Sequence, residues 1–274
     1  MDNIARYEQK FLISPREAER VKKLLSIYCD PDPASERGPY RVESLYYDND
    51  QLSLYQATAL SRPERLKLRV RYYDPHRVYI EIKRKIRGMI WKSRTSLPTL
   101  LWHDLIGTRR SDRSRREVRG EADASLNEFG QDVLSQFLTL CEVYDAQPTA
   151  WVRYDREGYF SPDEDYARIT FDTRLCAALP RVLRSSVYPS DASQPHSFAP
   201  RWTKIDLEHH FKSGQADIIL ELKSTRSVPS WMVELSRMIN HSAVGVSKYA
   251  LAVRTLHPHT LTQQFDHLWD RGKA

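Results

Sequence analysis

The chain has 274 residues, of which 41% are hydrophobic and 28% charged, with a formal net charge of +6. That composition excludes a disordered chain, and no window approaches the about eighteen consecutive apolar residues of a membrane-spanning helix. The length suits one large domain or two small ones, and the excess of 42 Lys and Arg over 36 acids favours an anionic partner: nucleotide, nucleic acid, polyanion or acidic membrane surface.

The opening "MDNIARYEQKFLIS" lacks the apolar segment and cleavage site of a secretory signal. Within it, "RYEQKFLI" at 6–13 reads as a strand with Glu8 and Lys10 on one face. Ser14 then caps a helix. Pro15 takes its first position and Glu17 completes a capping box. The helix should run to about Tyr28, with Val21, Leu24, Leu25 and Tyr28 as its apolar stripe. "PDPASERGP" at 31–39 is a loop, "YRVESLYYD" at 40–48 a strand, and "NDQLSLYQATALS" holds a short helix. Strands follow at 65–73, 77–86 and 88–97. The short turn "DPH" forces an antiparallel meander, because a parallel crossover needs many more residues. "LPTLLWHDLIG" and "SLNEFGQDVLSQFLTL" read as helices. Between them, "RRSDRSRREVRGE" is a charge run without aromatics, expected to be a solvated face. Four further strands are expected in "TAWVRYDREGYFS", "YARITFDTRLCA", "WTKIDLEHHF" and "DIILELKSTR", with 180–200 as a surface excursion. Helices are expected at 229–240 and from "LTQQFDHLWD", with a short element at "SKYAL". Cys29, Cys141 and Cys176 show no metal-ligand spacing and read as packed or free thiols of a reducing cytoplasm.

The strands share one feature. Each alternates an apolar face with a charged one. Lys67, Arg69 and Arg71 stand against Leu66, Leu68 and Val70; Glu81, Lys83 and Lys85 stand against Ile80 and Ile82. Lys92 and Arg94, Tyr154 and Arg156, Arg168 and Thr170, Glu221 and Lys223 continue the pattern. A single charged strand face is ordinarily solvated. Repetition over so many strands points to faces that converge on an anion, and the expected architecture is a single α+β domain built on a closed antiparallel β-barrel with helices outside.

The ordered set "RYEQKFLI", "LYYD", "KLRVR", "YIEIKRK", "ARITFDT", "ILELK" and "SKYAL" resembles the VTC domain, the polyphosphate polymerase branch of the triphosphate tunnel metalloenzymes, over roughly residues 6–251. The resemblance implies a barrel that binds ATP, triphosphate and polyphosphate with Mn²⁺ or Mg²⁺. It implies that Lys10, Arg69, Arg71, Lys83, Arg156 and Lys248 act on the transferred phosphate. Lys92, Arg94, Tyr154, Arg168 and Ser247 would bind phosphate beside them, and Lys67, Lys85 and Lys223 join them from the charged faces. Glu221 falls at the family's metal position, with Glu8, Glu81 and Glu208 as the other carboxylates in reach. Two departures stand out. The segment "GVSK" has no second lysine before Ser247, and Arg6 replaces the first acid of the Glu-x-Glu-x-Lys opening of the hydrolytic relatives. The second departure favours polymerase over triphosphate hydrolase.

The implied reaction moves the γ-phosphoryl group of ATP onto a polyphosphate end. It needs charge neutralisation and positioning more than a dedicated base. The alternatives are an inorganic triphosphatase, with water as acceptor, and a non-catalytic polyphosphate or inositol-phosphate sensor. Nucleic acid is not expected as a partner, since the run at 109–119 has no stacking aromatics. His209 and His210 have no third ligand at recognisable spacing. The chain is expected in the cytoplasm, and coupling to a membrane would need a partner protein.

Overall fold

A computed structural model describes residues 7–87, 89–106, 112–164, 166–180, 200–207, 217–225, 227–239 and 243–257. Glu208, His209, His210 and the expected C-terminal helix lie outside them, as does nearly all of the 180–200 excursion. The strands are β1 (Tyr7–Ile13), β2 (Asp30–Pro31), β3 (Tyr40–Asp48), β4 (Glu64–Tyr72), β5 (Arg77–Ile86), β6 (Met89–Pro98), β7 (Gln147–Phe160), β8 (Ala167–Ala178), β9 (Thr203–Lys204) and β10 (Ile218–Ser224). Helices α1 (Pro15–Tyr28), α2 (Ser53–Ala59), α3 (Thr99–Ile106), α4 (Asp112–Ala124) and α5 (Glu128–Tyr144) are followed by Ser230–Met238 and Lys248–Leu256.

The ten strands form one antiparallel sheet in the order β1-β10-β8-β7-β3-β4-β5-β6, with β2 on β7 and β9 on β8. This overturns the expected closed barrel. The path has two ends, β1 and β6, and they are not paired with each other. Alternation specifies two unlike faces for each strand. Closure depends on tilt and stagger between the end strands, which alternation does not encode. The strand expected at "WTKIDLEHHF" shrinks to Thr203–Lys204, with Ile205 and Asp206 outside it.

The chain divides into two compact units. The first comprises Met1–Val42, Arg153–Cys176 and Lys204–Leu251, the second Glu43–Val152, Ala177–Thr203 and Ala252–Ala274. In the first, α1 begins as the sequence dictates. The Ser14 side chain accepts from Glu17 N–H, and the Glu17 carboxylate accepts from Ser14 N–H at 2.8 Å. Its Ala18, Val21 and Leu25 are buried with Phe11 and Ile13 of β1, Ile169 and Phe171 of β8, Leu220 and Leu222 of β10, and Trp231 and Leu235. Tyr28 stays exposed at the end of the helix and stacks on Trp231 at 5.6 Å.

In the second unit the β4–β5–β6 meander follows the expected alternation. Leu68, Val70, Ile80 and Ile82 pack with Leu97, Trp102, Val133, Leu134 and Phe137. Each such side chain contributes about 1.5–3 kcal/mol on burial. Helix α5 lies against β5 and β6. Asn127 caps it by accepting from Gly130 N–H, three residues inside the expected start. The β4–β5 turn is fixed by Asp74, whose Oδ1 accepts from His76 N–H at 2.7 Å and Arg77 N–H at 3.1 Å. That turn sets the register, and the register decides which charges meet.

Candidate functional site

The second unit gathers cations around one carboxylate. Register aligns Arg69 with Glu81 and Glu81 with Arg94 across β4, β5 and β6. Glu81 is only 1% exposed. Arg69 Nε and Nη2 both stand 2.6 Å from its Oε2, and Lys92 Nζ stands 2.8 Å from Oε1. Arg94 Nε at 3.7 Å and Arg71 Nη1 at 3.9 Å complete the set. Burial alone would raise the Glu81 pKa. Arg69, Arg71 and Lys92 instead hold it far below the usual carboxylate range. The same crowding weakens Lys92. Burial, with repulsion from Arg69 and Arg71, brings its pKa down to about 8 against the pull of Glu81.

Tyrosines brace these arginines. Arg69 Nη1 donates to Tyr46 Oη at 3.0 Å and Arg71 Nη1 to Tyr73 Oη at 3.0 Å. The Arg94 guanidinium lies 4.0 Å from the Tyr79 ring centroid. Burial would raise the Tyr73 pKa, but Arg71 and Arg94 lower it. One register step away, Lys67, Lys83 and Lys92 face each other across three strands. Like charges in cross-strand register are unfavourable, so this row suits a bound anion. Lys85 pairs in register with Arg65 and with Ile90, toward the hairpin end.

The first unit carries a more nearly neutral cluster. Register sets Lys10 against Glu221 and Glu221 against Thr170. The next row is Glu8, Lys223 and Arg168. Glu221 is 6% exposed. It pairs with Lys223 at 2.8 Å, Lys10 at 3.2 Å and Arg156 at 3.7 Å. Lys10 also pairs with Glu8. Burial works to raise the Glu221 pKa, but Lys223 and Lys10 hold it well below the usual range. Arg156 forks onto the fully buried Asp172 at 2.6 and 2.8 Å, and Lys248 reaches the same carboxylate at 2.6 Å. Both cations lie over the Tyr154 ring, at 5.2 and 4.9 Å. Arg168 pairs instead with Asp32. Ser247 Oγ accepts from Ala250 N–H at the start of the last described helix.

Apart from Arg168, Ser247 and Glu208, the site residues named from the sequence fall into two groups. Arg69, Arg71, Lys92 and Arg94 surround Glu81, with Lys67, Lys83 and Lys85 on neighbouring rows. Lys10, Arg156, Lys223, Lys248 and Tyr154 belong with Glu221 and Glu8. Sequence reasoning misses the braces. Nothing in the pattern singles out Tyr46, Tyr73 or Asp172 as partners of arginine. Counting back from the "DPH" turn would have placed Glu81 opposite Arg69, and counting from the turn after Ile86 would have placed it opposite Arg94.

Among the described residues no group of three or more His, Cys, Asp or Glu is arranged to hold a metal ion. Mg²⁺ commonly takes one or two carboxylates and completes its shell with water and substrate phosphate, so Glu221 and Glu8 are a fitting donor set. Thr170 Oγ1 supports this. It is buried without a hydrogen-bond partner, opposite Glu221 in register, where a phosphate oxygen or bound water would satisfy it. Glu81, with four positive side chains around it, fits a cation less well than Glu221, which has three and the second acid Glu8 beside it.

No curated protein matches the sequence. Among solved structures, one described as the structure of PH1819 protein from Pyrococcus Horikoshii OT3 matches over 94% of this chain and 98% of that chain. The identity is 10% and the TM-score 0.41. The family comparison is of another order, since the model of the VTC domain matches residues 5–257. With nearly its whole length matched, and with the buried carboxylates and ranked cations described above, this chain belongs to the VTC domain family, which is associated with polyphosphate synthesis, a transferase activity.

Proposed function

We propose that the protein is an ATP-dependent polyphosphate polymerase using Mn²⁺ or Mg²⁺. The observation that carries this reading is the Glu81 cluster. Four cations are held around one buried carboxylate, so positive charge is in excess and already oriented. Such preorganisation favours a transferring phosphoryl group, whose charge spreads over its non-bridging oxygens. Guanidinium forks suit bidentate contact with those oxygens, and each charge-assisted bond contributes about 1.5–3 kcal/mol.

In the reaction, a terminal oxygen of the polyphosphate chain attacks the γ-phosphorus of ATP. The bond to the β–γ bridging oxygen breaks and ADP leaves with that electron pair. The attacking oxygen is already ionised, so no base is required. Arg69, Arg71, Lys92 and Arg94 neutralise the oxygens, while Glu81 fixes the guanidinium directions. Lys10, Arg156 and Lys248 hold phosphate in the first unit, and Glu221 with Glu8 would hold the divalent ion. When bound, that ion supplies charge neutralisation on the phosphates.

Purified protein incubated with ATP and Mn²⁺ or Mg²⁺ should yield ADP and a ladder of polyphosphate lengths on a resolving gel. Free phosphate without a ladder would establish a triphosphatase instead. Tight polyphosphate binding with neither product would establish a sensor module.

A further inference from the structure

We infer that the β5–β6 hairpin end is a docking point for an anionic lipid surface, an inference independent of the polymerase reading. Ile86, Met89, Ile90 and Trp91 stand in the open at this one place, with exposures of 37%, 60%, 40% and 37%. Register pairs Ile86 with Met89, Lys85 with Ile90 and Arg84 with Trp91. The apolar residues therefore gather at the hairpin end, with Lys85 directly across from Ile90, Arg84 directly across from Trp91 and Arg87 in the turn itself. Arg87 adopts a left-handed backbone (φ 48°), and its N–H donates to the Pro63 carbonyl at 3.0 Å, so the turn is braced against the segment carrying Arg62.

An edge strand is ordinarily protected from association by charge. At its hairpin end β6 presents Met, Ile and Trp instead. From Ile82 to His103 the sequence has six Lys and Arg and no Asp or Glu. Glu64, in register with Ile86, is the acid beside this end. An apolar extremity with an indole, backed by cations, matches the boundary between acyl chains and anionic headgroups. A second copy of the same face would bring cations against cations. No described helix is long and apolar enough to cross a membrane, so attachment by this hairpin would be peripheral.

The test uses the full chain and vesicles of phosphatidylcholine with or without phosphatidylserine. The wild type should sediment with the phosphatidylserine vesicles and not with pure phosphatidylcholine. The double variant Met89→Ser/Trp91→Ser should lose about tenfold or more of that binding. Its melting temperature and tripolyphosphate affinity should be unchanged. Brominated lipid should quench part of the wild-type emission, and Trp91→Phe should bind equally well but lose that quenching. A wild type that ignores anionic vesicles overturns the inference. So does a double variant that binds like wild type, which would put the attraction on the phosphate-binding cations alone. Wild-type dimers that the double variant abolishes, with no vesicle binding, would reassign the hairpin to self-association.

Discussion

Glu81 and Glu221 are both buried carboxylates set against cations by strand register, yet their surroundings differ. Glu81 has Arg69, Arg71, Lys92 and Arg94 about it. Glu221 has a second acid close by in Glu8, and the unsatisfied Thr170 hydroxyl opposite. Glu221→Gln keeps the shape and removes the anionic ligand. Metal-dependent turnover should fall about 100-fold or more while nucleotide binding is partly kept. Full activity would move the metal to another carboxylate. Lys92 offers a separate test. With its pKa near 8, it is mostly charged at neutral pH, and an anion binds best to the charged form. Tripolyphosphate affinity should therefore fall as pH rises through about 8, by up to about tenfold per unit, with proton uptake on binding. Lys92→Arg should flatten that dependence, because a guanidinium does not titrate there. Calorimetry in buffers of different ionisation enthalpy would read both effects.

Elements take their positions from single polar residues as much as from apolar faces. Helix α2 is preceded by Leu52 at its N-cap, which has a left-handed backbone and supplies no side-chain cap. Asp48 at the end of β3 compensates. Its Oδ1 accepts from Leu54 N–H at 2.9 Å and its Oδ2 from Tyr55 N–H at 2.8 Å, in full burial. Asp48→Ala should lower the unfolding free energy by about 1–3 kcal/mol, seen as a lower denaturant midpoint. An unchanged midpoint would show that α2 holds by its apolar contacts alone. The sequence made much of this level legible. The Ser14-Pro15-Glu17 signature located α1, and period-two runs located β4, β5 and β6, because both signals are local. Strand β9 pairs with β8 at Thr203–Lys204 only, and the alternation of "WTKIDLE" does not encode how far a pairing extends. Most of the arginine braces were illegible because they join different strands, as Arg69 with Tyr46 and Arg156 with Asp172 do, whereas Arg71 with Tyr73 is local.

At the scale of the whole molecule, fold and site were readable to different depths. The antiparallel sheet, the helices and the charged faces follow from patterning, whereas closure does not. The buried carboxylates also link the clusters to stability. Glu81, Asp172 and Glu221 all have folded pKa values below their ordinary ones. Their stabilisation is therefore present above the unfolded carboxylate range and is lost as pH falls through the folded values. Unfolding free energy should be nearly level from about pH 7 to 5 and decline below about pH 4. Denaturant titrations that stay level to about pH 3 would show the carboxylates to be energetically idle.

Lys67, Lys83 and Lys92 face each other across three strands, which concentrates positive charge along one row. Separate small anions can relieve it only by being immobilised one at a time, each at its own entropic cost. A linked chain meets that cost once, and its later phosphates arrive at high effective concentration. Under the proposed reading, the row would therefore read connectivity and not the identity of any atom. Abundant orthophosphate would surround such a surface without saturating it, while a scarce long chain would hold on.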